Sequence, residues 1–114
     1  MDLHLSTARR GRFAVVSVSG EIDLETASQL SDHALSATRE QSPHLVLDLS
    51  RVTFMDSTGL QVLIAIKRRA ELAGGGLTLV GVARAVMKVL TVTGLSETFS
   101  IVDTVEQATG EQAG

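Results

Sequence analysis

The sequence predicts an α/β fold in which a mixed sheet packs against helices. Apolar runs with the two-residue periodicity of strands alternate along the chain with segments of helical periodicity. The 114 residues are enough for one hydrophobic core and too few to divide into two. Hydrophobic residues make up 44% and charged residues 20%, which is the balance of a folded globular chain. We therefore expect one domain over residues 1–114.

The first two elements are predicted to be strands joined in a hairpin. Leu3, Leu5 and Thr7 alternate with polar residues, as in a half-buried strand. A second run, residues 13–20, is rich in β-branched residues, and Gly11 marks the turn between the two. The first strand is therefore expected to join the sheet as an antiparallel arm.

A first amphipathic helix is expected after Gly20. Its apolar residues recur at the spacing of three to four that one helix face requires. They are Leu24, Ala27, Leu30, Ala34 and Leu35. Asp23 is predicted to cap its start, because a carboxylate accepts hydrogen bonds from the free N–H groups of a first turn. Ser42 and Pro43 are expected to end it.

A central strand is predicted at residues 44–50, and a second helix follows it. In the strand, Leu45, Leu47 and Leu49 share one face, whereas Val46 and Asp48 lie on the other. The buried stripe of the helix is predicted to comprise Leu60, Leu63, Ile64, Ile66 and Ala70. Three consecutive glycines, residues 74–76, are expected to end the helix.

The remaining chain continues the alternation of strands and helices. It predicts a strand at residues 77–82, a shorter helix at 83–94, a strand at 99–103 and a final helical turn or two. The order of elements is thus ββαβαβαβα, which favours parallel strands joined by right-handed crossovers. The weakly polar residues 110–114 are expected to fray.

The composition argues against several classes of partner and cofactor. A formal charge of −3 offers no basic surface for nucleic acid, and three Phe without Trp or Tyr leave few rings for stacking. The sequence has no Cys, no histidine pair at metal-ligand spacing and no apolar run of the roughly 20 residues that span a bilayer. We therefore expect no metal, no cofactor, no nucleic-acid or membrane partner, and a cytoplasmic location.

A polar corner, Asp56-Ser57-Thr58-Gly59, precedes the second helix. Thr58 and Gln61 fit a capping box, in which the hydroxyl and the amide each serve backbone N–H groups, although Asp56 or Ser57 could also cap. With Thr58 as the cap, Ser57 lies just outside the helix with its hydroxyl free. The corner is then either a plain helix start or a site open to modification.

Phosphorylation is the modification that suits this corner. A phosphate on Ser57 would add about −1.5 to −2 charges beside a helix N-terminus, whose N–H groups favour an anion, and beside Asp56, which repels it. The fold could tolerate that change where a partner docked on the corner could not. A switch that alters binding and leaves the fold intact is therefore physically reasonable.

Two other chemistries fit the sequence less well. A serine hydrolase would need a glycine two residues before Ser57 and a histidine base, and Met55 and three upstream histidines do not meet that pattern. Asp48 could be the phosphoacceptor of a receiver-like domain only with a cluster of acids for Mg²⁺, which the first strands do not offer. We expect Asp48 at a strand end or edge.

Three stretches of the chain resemble the STAS domain, and most closely the stand-alone anti-sigma factor antagonists. They are VVSVSGEIDLETASQL, LVLDLSRVTFMDSTGLQVL and TGLSETFSIVDTVEQA. The second is the most specific, because it follows the family signature Asp-Leu-Ser-x-Val-x-Phe-Met-Asp-Ser-[Ser/Thr]-Gly-Leu almost throughout. The resemblance covers roughly residues 3–109, nearly the whole chain, and so exceeds a lone short motif.

The resemblance implies a STAS-type α/β fold: a mixed sheet of about four or five strands, an N-terminal antiparallel hairpin strand and about four helices, with a core at residues 3–109. It implies a regulator without enzymatic activity that binds an anti-sigma factor, itself a serine kinase, and so releases a sigma factor. Phosphorylation of Ser57, with Thr58 as the backup acceptor, switches binding off, and a serine phosphatase resets it. Partner contacts are implied at Glu21, Asp23, Asp56, Ser57, Thr58, Gly59 and Leu60.

A second interpretation of the same resemblance has no phosphorylation switch. Some STAS domains act as binding or scaffold subunits, for example in a stress-signalling assembly or a lipid-transport complex. Stable association with such components, without phosphate on Ser57, would be its hallmark.

Overall fold

A computed structural model describes residues 2–110, and its elements follow the predicted order ββαβαβαβα. They are β1 Leu3–Arg10, β2 Phe13–Ile22, α1 Ala27–Glu40, β3 His44–Met55, α2 Ser57–Leu72, β4 Gly76–Val80, α3 Arg84–Val92, β5 Ser100–Val102 and α4 Val105–Thr109. The tail predicted to fray lies outside the described residues except for Gly110. The α/β prediction is confirmed.

The five strands form one mixed sheet in the order β1-β2-β3-β4-β5. β1 is antiparallel to β2, and the other three neighbouring pairs are parallel. The hairpin pairs Arg10 with Phe13, and Gly11 in its turn has φ 61°, a conformation that glycine adopts without strain. Both the antiparallel arm and the central position of β3 are as predicted.

Helices α1, α2 and α3 cover one face of the sheet. Leu45, Leu47 and Leu49 of β3 are buried there, as predicted, and Leu30 of α1 and Leu63 of α2 pack in the same core. On the opposite face a smaller apolar cluster centres on Val15, Val46 and Val80 and packs against α4. The sheet thus has one face against α1, α2 and α3 and an opposite face that α4 covers near β3, β4 and β5.

The start of α1 differs from the prediction. The helix begins at Ala27, and Leu24, predicted on its buried stripe, is 78% exposed in the preceding turn. Asp23 does cap backbone N–H groups, but they are those of Glu25 and Thr26, ahead of the helix. The residues from Asp23 to Thr26 therefore form a turn, although periodicity alone assigns them to the helix.

The length of β3 also differs from the prediction, because the strand continues to Met55. Beyond Asp48 it pairs with β2 alone, and two irregularities in the register accompany this extension. Asp48 is not an edge residue, since it pairs with Ser17 on one side and with Val80 on the other. It is, however, the last residue of β3 that pairs with β4.

Candidate functional site

The polar corner lies where β2 and β3 end together. Ile22 pairs with Met55, and the Asp56 N–H donates to the carbonyl oxygen of Ile22 at 3.2 Å. The turn that follows β2 and the start of α2 therefore lie side by side. The carboxyl ends of parallel strands are the edge at which α/β proteins commonly gather functional loops.

Asp56 is the cap of α2, and the prediction of a capping box at Thr58 and Gln61 is wrong. The Oδ1 atom of Asp56 accepts from the N–H groups of Thr58 at 2.9 Å and Gly59 at 3.2 Å. The helix begins at Ser57, two residues earlier than the box requires, since a box of Thr58 and Gln61 would start the helix at Gly59. A carboxylate in this position both satisfies free N–H groups and suits the positive end of the helix dipole.

Ser57 is the first residue of α2 and is exposed. Its hydroxyl makes no hydrogen bond to any residue from 2 to 110, because Asp56 already performs the capping. The sequence placed Ser57 just outside the helix, and the observed position inside the first turn keeps its hydroxyl equally free. Thr58, the backup acceptor, is half-buried.

Gly59 and Leu60 attach this corner to the core. Both are buried, and a Cβ added at Gly59 would lie 2.5 Å from Met55 Cγ and 2.9 Å from Ile22 Cγ2. A side chain here would force the side chains of Ile22 and Met55, at the ends of β2 and β3, to shift. These two residues shape the corner from inside and offer little surface to a partner.

The turn after β2 is held by its own hydrogen bonds. Asp23 Oδ1 accepts from Glu25 N–H at 2.9 Å and Thr26 N–H at 3.1 Å. The Thr26 hydroxyl donates to the Glu21 carbonyl at 2.7 Å and accepts from the Asp23 N–H at 3.0 Å. Thr26 is 4% exposed, so this turn is a fixed feature beside Ser57.

Glu21 carries a carboxylate oxygen with no internal partner. Its Oε2 is buried and accepts no hydrogen bond from residues 2–110. In the sheet register Glu21 pairs with Phe54. A buried acceptor left unpaired is costly, so a rotation of the Glu21 side chain that brings this oxygen to a donor would be stabilising.

Two exposed apolar side chains beside the corner were not predicted as site residues. Leu24 is 78% and Phe54 47% exposed. Periodicity assigns Leu24 to a buried stripe, and Phe54 lies beyond the predicted end of β3, in a segment that contains register irregularities. The available signal was Gly20, since a glycine inside a strand often marks such an irregularity.

The described residues contain neither a metal-binding group nor a membrane-spanning helix. Among residues 2–110, no three or more His, Cys, Asp or Glu side chains are grouped to hold a metal ion. Within the same part of the chain, each helix is too short or too polar to cross a bilayer.

Comparisons with known proteins agree on one family. The family model described as STAS domain matches residues 4–108. An anti-sigma-B factor antagonist of Staphylococcus epidermidis is 27% identical over 97 residues, which cover 85% of this chain and 90% of that relative. The crystal structure of an anti-sigma factor antagonist from Mycobacterium paratuberculosis aligns with a TM-score of 0.85 and 32% identity, covering 96% of this chain and 92% of that one.

The fold is also shared with a more distant solved structure. The Bacillus cell fate determinant SpoIIAA in its phosphorylated form aligns with a TM-score of 0.71 and 22% identity, covering 94% of this chain and 97% of that one. At that identity the likeness concerns the fold alone.

Proposed function

We propose that this chain, which belongs to the STAS domain family, is an anti-sigma factor antagonist controlled by phosphorylation of Ser57. In the proposed cycle the unmodified protein binds an anti-sigma factor that is also a serine kinase, and so frees a sigma factor. Phosphorylation of Ser57 then weakens the complex, and a serine phosphatase restores the hydroxyl. The names of the relatives support the role, and the corner supports the switch.

The exposed hydroxyl of Ser57 carries the proposal. It lies in the first turn of α2 without an internal hydrogen bond, so a kinase can engage it without breaking the cap at Asp56. In the transfer, Ser57 Oγ bonds to the γ-phosphorus of ATP as the bond to ADP breaks, and the hydroxyl proton passes to a base of the kinase. A protein of this fold has been solved in a phosphorylated form.

A docking corner is proposed around this serine, formed by Glu21, Asp23, Leu24, Phe54 and Ser57. Leu24 and Phe54 supply exposed apolar surface of the kind that anchors protein interfaces. The carboxylate of Glu21 favours a donor from the partner, such as a basic side chain. Asp56, Thr58, Gly59 and Leu60 hold the shape of this corner from below.

The proposed switch acts by charge and bulk. During transfer the nucleotide of the kinase brings its own phosphates against Ser57. Once Ser57 carries about −1.5 to −2 charges, it repels that nucleotide and the neighbouring carboxylates of the corner. The start of α2 tolerates the new anion, because helix N-termini favour negative charge. Binding is therefore lost while the fold is retained.

The test is a comparison of three forms of the protein as bait in extracts of its own cells. Wild type and Ser57→Ala should capture an anti-sigma factor, and Ser57→Asp should capture at least tenfold less. With ATP, mass spectrometry should find phosphate on Ser57 of the wild type and on the control Thr58→Ala, but not on Ser57→Ala. Phosphorylation of Ser57→Ala at the wild-type rate would contradict the proposal.

The same experiment distinguishes the scaffold role. A scaffold subunit would capture its partners equally well as wild type, Ser57→Ala and Ser57→Asp, and none of the captured wild type would carry phosphate.

A further inference from the structure

The sheet face opposite α1, α2 and α3 has an uncovered polar half. Helix α4 packs over Val15, Val46 and Val80. Towards β1 the same face carries hydroxyl and charged side chains, and His4 and Ser6 among them are exposed. A groove of about 470 Å³ lies here, which we call the polar groove.

The polar groove is built from two rows of side chains across three strands. In one row His4 of β1 pairs with Ser19 of β2, which pairs with Arg51 of β3. In the other row Ser6 pairs with Ser17, which pairs with Asp48. Side chains directly opposite on neighbouring strands lie about 5 Å apart, so each row presents three polar groups within reach of one small molecule.

A β-bulge places Arg51 in the groove. Between the pairs Ser17–Asp48 and Ser19–Arg51, β2 has one residue, Val18, but β3 has two. In a regular strand Arg51 would share the face of Leu49, which is buried in the core. The extra residue turns the guanidinium group onto the face of Asp48. Bulges commonly re-aim a side chain in this way next to functional sites.

Most of the polar groups in the groove have no internal partner. Asp48 and Ser50 are the exceptions, because Oδ1 of Asp48 accepts from the Ser50 N–H at 3.0 Å and from the Ser50 hydroxyl at 2.7 Å. The side chains of the other five residues make no hydrogen bond or ion pair to any residue from 2 to 110. They are His4, Ser6, Ser17, Ser19 and Arg51. The groove thus combines one fixed carboxylate with donors that are free to bind a ligand.

We propose that the polar groove binds a small phosphorylated polyol. The phosphate lies in the row of His4, Ser19 and Arg51, where a guanidinium and a hydroxyl donate to its oxygens. The hydroxyl groups of the ligand lie in the other row, where the Asp48 carboxylate accepts from them. Two residues along a strand span about 6.6 Å, a separation that a glycerol or sugar phosphate bridges.

The lining of the groove favours this ligand class over a nucleotide. Among the described residues that line it there is no Phe, and the small imidazole of His4 is the one ring on which a base could stack. The volume of the groove lies within the usual range for small-molecule sites, which is about 300–1,000 Å³. The groove is on the face away from α2, so the proposal stands independently of any role for Ser57.

The test is an NMR titration of the ¹⁵N-labelled protein with glycerol 3-phosphate, inorganic phosphate and glycerol. Glycerol 3-phosphate should give saturable shifts of the amides of His4, Ser19 and Arg51, inorganic phosphate should bind several-fold more weakly, and glycerol should not bind. Arg51→Gln should weaken the binding of glycerol 3-phosphate at least tenfold. Arg68→Gln, which removes an exposed arginine on α2, is the matched control and should change nothing.

A second variant separates the two rows. Asp48→Asn should weaken the binding of glycerol 3-phosphate several-fold and leave the binding of inorganic phosphate unchanged. The reason is that the carboxylate contacts the hydroxyl groups of the ligand and not its phosphate. The proposal is overturned by shifts that do not saturate or that centre on Ser57, or by equal losses in Arg51→Gln and Arg68→Gln. Should Arg51→Gln lose its dispersed spectrum, Arg51→Lys provides the check, since it keeps the charge and must bind more weakly than wild type through loss of the bidentate fork.

Discussion

Helices α2 and α4 begin with similar residues and use them differently. Each start pairs an aspartate with a following hydroxyl residue: Asp56 with Ser57 in α2, and Asp103 with Thr104 in α4. In α4 the hydroxyl residue is the cap and is part of a complete capping box with Gln107. In α2 the aspartate is the cap, and the hydroxyl of Ser57 is free.

A shift of one residue in the helix start accounts for this difference. The Thr104 hydroxyl accepts from the Gln107 N–H at 3.2 Å, and the Gln107 side chain accepts from the Asp103 N–H at 2.9 Å. The hydroxyl of that start is thereby occupied. At the start of α2, by contrast, the exposed hydroxyl of Ser57 makes no hydrogen bond to residues 2–110. The two starts have similar residues, so composition does not tell them apart. What distinguishes them is which residue is the cap, because that decides whether a hydroxyl is left for modification.

The two starts also differ in their attachment to the core, and Gly59→Val should produce the largest effect. The α2 start packs its glycine against Met55 and Ile22, whereas no residue of α4 is buried. A valine would overlap both neighbours, and we expect a loss of about 2–3 kcal/mol in the free energy of unfolding, measured with urea. Gly76→Val is the control, since a Cβ there meets nothing within 4 Å. Equal losses in the two variants would contradict this account.

Removing the cap of α2 should also lower the free energy of unfolding more than removing the cap of α4, but by a smaller amount than Gly59→Val. Asp56→Ala removes both bonds to the α2 start and should cost about 1–2 kcal/mol in the free energy of unfolding. Thr104→Ala should cost less than about 1 kcal/mol, because the 5 residues of α4 can unfold locally while the core persists. Urea unfolding of both, with Asp56→Asn as the variant that keeps an acceptor, measures the difference. A larger loss for Thr104→Ala would show that α4 is the more critical helix.

Periodicity predicted the elements but not their ends. The stripe of Leu45, Leu47 and Leu49 identified the central strand because regular alternation holds there. It fails further along β3, where the first of two register irregularities places Arg51 and Val52 on faces that a regular strand would not give them. Those irregularities depend on pairing with β2, which is a tertiary contact, and Gly20 inside β2 is their local sign in the sequence.

The sequence could not decide which residue caps α2, and the reason is different. Asp56, Ser57 and Thr58 are three consecutive residues that can each accept from a first turn, and local rules rank them almost equally. In the structure Asp56 is the cap, its N–H donates to the Ile22 carbonyl oxygen, and Gly59, three residues on, packs against Met55, so the start of α2 is attached to β2 and β3 by tertiary contacts. The sequence nevertheless predicts Ser57 as the candidate residue of the corner, since each of the three possible caps leaves at least one hydroxyl unused.

The smallest effect on stability is expected at Ser57 itself. Ser57→Asp places a charge on an exposed side chain, where the dipole of α2 attracts it and Asp56 repels it. The two terms oppose each other, and the free energy of unfolding should change by less than about 0.5 kcal/mol, with an unaltered circular dichroism spectrum. Thr104→Asp is the matched variant of the occupied start, in which the carboxylate can still accept from Gln107. Only the α2 variant should lose binding to the captured anti-sigma factor, because only that start leaves its hydroxyl facing a partner. A loss of stability at Ser57→Asp as large as that of Asp56→Ala would mean that the serine hydroxyl supports the helix and is not free to act as a switch.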